Sequence, residues 1–191
     1  MKKRGENSNP MSKECWRINK MKNIFLIGYM GTGKSTVASF LCKDSNRDIV
    51  EMDEVIEKQK NMSISDMFRL YGESYFRDAE SELLRSICVK ENKVVSCGGG
   101  IVLRNENVEL MRNAGTVILL SAKPETILKR VKNDMNRPLL QGNKNLEYIQ
   151  EMMKSRQEQY EKAAEHIIET DDKTIEEICG EILKKVIEEE K

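Results

Sequence analysis

Several features are scarce in this chain, and each scarcity removes a class of protein. Net charge is missing: Lys plus Arg and Asp plus Glu number 32 each. Nothing global therefore draws the chain to nucleic acid or an anionic membrane. Long apolar runs are missing too, with none near the roughly 20 residues that span a bilayer. There is one histidine, His166, read as a structural residue at the start of a strand. The five cysteines (Cys15, Cys42, Cys88, Cys97 and Cys179) include no C-x-x-C pair. An odd, scattered set matches neither a zinc site nor a disulfide framework, so reduced thiols and a cytoplasmic setting are expected. Residues 1–20 lack the apolar segment of a secretory signal and read as a flexible extension ahead of one domain, 21–191. The guanine-reading N-K-x-D and the D-x-x-G switch are both absent, which argues against a GTPase.

What is present is a strict alternation of strand-like and helix-like segments. "NIFLIG" (23–28), "DIVEM" (48–52), "KVVSC" (93–97), "TVILLS" (116–121) and "HIIE" (166–169) read as strands. Helical spacing fills the intervals. Ser63 with Asp66 marks one helix start, and Gly72 its end. Phe76, Ala79, Leu83, Leu84 and Ile87 carry the next helix. Thr174 with Glu177 forms a capping box for the last. The polar stretch 133–143 has no periodicity and reads as a long loop. Such alternation predicts a parallel sheet covered on both faces.

The chemistry is concentrated in "GYMGTGKST" (28–36). Gly28-x-x-x-x-Gly33-Lys34-Ser35 matches the phosphate-loop pattern, with a strand before it and a helix after it. Glycines let successive amides face an anion without a Cβ in the way. The residues assigned to nucleotide are Gly31, Thr32, Gly33, Lys34, Ser35 and Thr36. Lys34 reaches the β- and γ-phosphates, and Ser35 offers its hydroxyl to Mg²⁺. Glu51 and Asp53 lie at the carboxyl end of the second strand, the edge where open α/β sheets bind ligands.

With "EMDEVIE", "GESYFRDAE", "CGGGIV", "NRPLL" and "KSRQEQY" added in that order, the chain from about 22 to 185 resembles the shikimate kinase family. The resemblance implies a three-layer α/β/α P-loop kinase fold, with about five parallel strands, a lid and substrate-binding helical segments. It implies transfer of the γ-phosphoryl of ATP, with Mg²⁺, to the 3-hydroxyl of shikimate by a monomer. Asp53 would bind the acceptor hydroxyl and take its proton. Arg77 and Arg156 would grip the carboxylate, a task suited to guanidinium forks. Gly98, Gly99 and Gly100 would let the substrate ring approach the backbone. Arg137 would close on the phosphates, and Arg130 would stack on adenine. The chain departs from the family twice. Glu51 replaces an aspartate that orders Mg²⁺ through water, and Lys173 stands in for an arginine beside the adenine. Two other readings stay open at this point: a kinase of another hydroxy acid such as gluconate, and a non-catalytic nucleotide-binding regulator.

Overall fold

The computed structural model describes residues 22–43, 45–131 and 145–189. The expected N-terminal extension and the 133–143 loop, with Arg137, lie outside the described residues. Five strands, β1 (Asn23–Ile27), β2 (Asp48–Glu51), β3 (Lys93–Ser96), β4 (Gly115–Ser121) and β5 (His166–Glu169), form one sheet in the order β2-β3-β1-β4-β5. Every pairing is parallel. The helices are α1 (Lys34–Lys43), α2 (Met52–Lys60), α3 (Ile64–Cys88), α4 (Asn105–Ala114), α5 (Pro124–Val131), α6 (Leu146–Ala163) and α7 (Ile175–Glu189).

β1 is central, and all five of its residues are buried. Successive side chains alternate between the two faces of the sheet. Phe25 and Ile27 join Val95, Val117 and Leu119 against α2, α3 and α4. Ile24 and Leu26 join Val94, Ile118, Leu120 and Ile168 against α1 and α7. The result is three layers, α/β/α, as the alternation predicts. A third cluster of Tyr29, Met30, Ala122, Ile127, Val131 and Ile149 fastens the loop after β1 to α5 and α6.

The chain leaves β1 into α1 on one face of the sheet, whereas the segment after β3 leads to α4 on the other. Such a divergence opens a crevice at the carboxyl ends of the two strands. Local signals hold where the sequence places them. The Thr174–Glu177 box closes reciprocally, with Glu177 N donating to Thr174 Oγ1 (3.2 Å) and Thr174 N to Glu177 Oε2 (2.7 Å). Ser63 Oγ accepts from Asp66 N at 3.1 Å.

Gly72 breaks the helix as expected, but a new helical run restarts at once, so α3 is two helices across a kink. Gly72 has φ 80° and ψ 171°, a region open essentially only to glycine. A Cβ there would meet nothing within 4 Å, so the cost of a side chain is conformational, not steric. The kink lets the first half of α3 place Ile64 and Phe68 at the crevice and the second half place Phe76 and Arg77 there. Gly72→Ala is expected to lower stability by about 1–3 kcal/mol in urea unfolding. An unchanged midpoint would show that the kink is not required.

Candidate active site

One cavity of about 1120 Å³ runs along the carboxyl edge of the sheet. Its phosphate end is the loop after β1. Gly31 (φ 79°) and Gly33 (φ 97°) hold the left-handed geometry that turns their amides into the loop. Thr32 is buried, and its hydroxyl donates to Tyr29 O at 2.8 Å, pinning the turn. Lys34 Nζ donates to Gly28 O (2.8 Å) and Tyr29 O (3.2 Å), so the ammonium lies over the loop it would share with phosphate. Thr36 also lines the cavity.

Ser35 Oγ donates to Glu51 Oε2 at 3.0 Å, and Ser96 Oγ lies 3.5 Å from Ser35 Oγ. Burial pushes the Glu51 carboxyl above its ordinary range, against hydrogen bonds from Ser96 and Ser35. A hydroxyl and a carboxylate beside a phosphate loop are hard oxygen donors. Mg²⁺ is bound by such a set, completed by phosphate oxygens and water. These residues fit that ion. Among the described residues no group of three or more His, Cys, Asp or Glu could hold a metal by itself, so phosphate oxygens would have to share it.

The other end of the cavity is built on the glycine triplet after β3. A Cβ on Gly98 would overlap Glu80 Oε1 and fall 2.9 Å from Asp53 Oδ1. At Gly99 the carbonyl accepts from Arg156 NH1 at 3.2 Å and from the Tyr160 hydroxyl. A Cβ on Gly100 would overlap the guanidinium of Arg77. Each glycine thus meets a different part of the predicted set, and Asp53, Arg77 and Arg156 share one cavity.

Arg77 is buried, at 8% exposure. Its Nε and NH2 donate to Glu73 Oε1 (3.0 and 2.7 Å), and NH1 donates to Glu80. The rings of Phe76 and Phe68 flank it at 5.2 and 5.9 Å. Of five guanidinium N–H groups, the three bonds use three and leave two for a ligand. Glu80 is fully buried, and its Oε1 has no partner among the described residues. Burial pushes its carboxyl up to about 7, against the pull of Arg77 and with help from the Asp53 charge.

At the nucleotide end, Arg130 NH1 donates to Gly31 O and Thr170 Oγ1, each at 3.1 Å, and NH2 to Thr170 O at 3.1 Å. It ties the phosphate loop to the turn after β5. Lys173 lines the cavity, but its ammonium pairs with Glu181 at 2.7 Å.

The structure adds Glu80, Tyr160 and Thr170 to the site. A signal for Glu80 exists in the sequence, since it shares the apolar stripe of Phe76, Leu83, Leu84 and Ile87. An acid on a buried helix face needs a reason. Tyr160 and Thr170 carry no comparable mark.

A phosphate loop facing a carboxylate and a guanidinium-lined cup defines a P-loop kinase of small molecules. Comparison with known proteins narrows the class. The shikimate kinase family profile matches residues 30–187. A shikimate kinase of Thermodesulfovibrio yellowstonii is 44% identical over 86% of this chain and 95% of its own. The structure of an Acinetobacter baumannii shikimate kinase in complex with shikimate superposes with a TM-score of 0.85 at 29% identity, covering 93% of this chain and 98% of the other. That of the Aquifex aeolicus enzyme gives a TM-score of 0.74 at 36% identity, covering 87% and 96%. The chain belongs to the shikimate kinase family.

Glu80 makes stability depend on pH. Its carboxyl ordinarily titrates near 4.5 and is raised to about 7 in the fold, so between those values the native state holds the extra proton. The contribution is complete below the unfolded value and is lost as pH rises through the folded one. At 1.36 kcal/mol per unit, the loss reaches about 3 kcal/mol. Glu80→Gln, which cannot titrate, should gain on the wild type by up to that amount between pH 5 and 7.5 in urea unfolding. A difference that stays constant with pH would exclude the effect.

Proposed function

We propose that this chain transfers the γ-phosphoryl group of ATP to the 3-hydroxyl of shikimate. The observation that carries the reading is the convergence of Asp53, Arg77 and Arg156 on the glycine triplet, inside the cavity that also contains the phosphate loop. The relative solved with shikimate bound supports the choice of substrate.

In this reading the substrate carboxylate lies between the two free N–H groups of Arg77 and the fork of Arg156. That contact fixes the ring, and the glycine triplet lets it lie against the backbone. Asp53 orients the 3-hydroxyl and takes its proton. Lys34 and the loop amides from Gly31 to Thr36 hold the transferring phosphates, and Arg137 adds a further cation. Ser35 with Glu51 would hold Mg²⁺, which would supply charge neutralisation on the phosphates. Phosphoryl transfer has a loose transition state, so positioning and charge do most of the work. All the named residues come from one chain, and the proposed working unit is a cytoplasmic monomer. No helix among the described residues is long and apolar enough to cross a membrane.

A coupled ADP-release assay tests the assignment. Shikimate should raise turnover far above the background ATPase, and a failure to do so ends it. Asp53→Asn should lower kcat by about 10²–10⁴-fold. Arg156→Ala should raise KM for shikimate more than KM for ATP. Arg77→Ala is a poorer probe, because it leaves Glu80 buried without its partner, at a cost of about 3–5 kcal/mol. A panel including gluconate separates this substrate from open-chain hydroxy acids. ATP binding without any transfer would instead mark a nucleotide-binding regulator.

The adenine end gives a second prediction. Lys173 is paired to Glu181 and is not a planar stacker. ATP, GTP and CTP should therefore support comparable turnover. Strict ATP preference would show that other groups read the base.

A further inference from the structure

We infer that Glu51 binds the nucleotide's Mg²⁺ directly, as an inner-sphere ligand beside Ser35, where a shorter acid would act through water. The inference rests on the kinase reading above and concerns this chain's own residue. Glu51 stands at the N-cap of α2, yet its side chain makes no capping bond to the helix amides. The carboxylate turns the other way, across the mouth of the phosphate loop. It accepts from Ser35 Oγ at 3.0 Å, and Ser96 Oγ lies 3.5 Å from that serine oxygen.

The reach of the longer side chain points to direct ligation, and the separation of the Ser35 and Glu51 oxygens permits it. Mg²⁺ takes near-ideal octahedral geometry with oxygens at about 2.0–2.1 Å, which puts neighbouring ligand oxygens about 2.9 Å apart. Ser35 Oγ and Glu51 Oε2 already stand at 3.0 Å. One ion can meet both with almost no movement of either side chain. An aspartate at this position would lack one methylene, a shortfall of about 1.5 Å, and a water would fill the gap. The hydroxyl of Ser96 lies near enough to both groups to hold the carboxylate at that edge.

The acids on the acceptor side face the glycine triplet. Glu80 and Asp53 face Gly98, and Glu80 is committed to Arg77. The only acid in hydrogen-bond contact with the phosphate-loop serine, among the described residues, is Glu51.

The test uses Mn²⁺ as the probe, bound with ADP to the full chain. Electron–nuclear double resonance on protein carrying ¹³C-glutamate should give a strong ¹³C coupling that disappears in Glu51→Asp. In ¹⁷O-water the wild type should hold one water fewer on Mn²⁺ than Glu51→Asp does. The wild-type ¹³C coupling reads the contact even if the variant does not fold. A weak coupling, or equal water counts in the two proteins, overturns the inference and leaves the kinase reading intact. No bound Mn²⁺·ADP signal at all overturns both.

Discussion

Three consecutive residues without a Cβ, just after β3, set the depth of the cup proposed to take the acceptor. Gly98 lies against Asp53 and Glu80, Gly99 receives Arg156 and Tyr160, and Gly100 lies against Arg77. A single methyl at Gly98 or Gly100 would occupy space that a carboxylate or guanidinium now fills. The same constraint explains the buried ion pair on α3. A guanidinium packed against bare backbone and two phenylalanine rings has little access to water, so its solvation must come from acids on its own helix. Glu73 and Glu80, four residues before and three after it, are the neighbours that helical geometry makes available. Burying Glu80 costs several kcal/mol, which the pair offsets without necessarily exceeding. The pair serves position more than net stability: Arg77 is held rigid with two donors left over.

The phosphate loop and the acceptor cup keep their spacing because they grow from adjacent strands. β1 and β3 run in register, Leu26 opposite Ser96, about 4.8 Å apart. The ladder continues one step further, with Cys97 N donating to Leu26 O at 3.0 Å. Phosphoryl transfer needs the acceptor oxygen in line with the leaving group, and misplacement by an ångström is costly. Here the distance between the phosphate loop and the glycine triplet, the proposed donor and acceptor sites, is fixed by a sheet whose central strand is buried throughout. Ser35 and Ser96, one from each side, meet across the seam.

The parts of this arrangement that were legible in the sequence are those written locally. The phosphate loop follows from glycine spacing between a strand and a helix. The caps at Ser63 and Thr174 follow from side chains three residues apart, and the break at Gly72 from a glycine ending an apolar period. Arg77 was harder, because acids on both sides also describe an exposed ion pair of little worth. Only packing decides that the pair is buried. Arg130 shows the limit from the other side. The resemblance assigns it to adenine, and the structure gives it Gly31 O and the turn after β5 through Thr170. That contact joins residues nearly a hundred apart, and no local pattern encodes it.

The two ends of the cavity differ in what they are made of, and this difference governs selectivity. The phosphate end is mostly backbone, which recognises charge and curvature and is indifferent to what the phosphates carry. The acceptor end is side chains from α2, α3 and α6, each placed by a different tertiary contact. Glu73 and Glu80 pair with Arg77 there, and Asp53, Arg77 and Arg156 share the cavity. In the proposed reading, an incoming acid meets an Arg77 already paired with Glu73 and Glu80. Its affinity would then rest on geometry, on the N–H groups of Arg77 and Arg156 outside those bonds, which could take a planar carboxylate in pairs. A neutral polyol would fill the same space without engaging them.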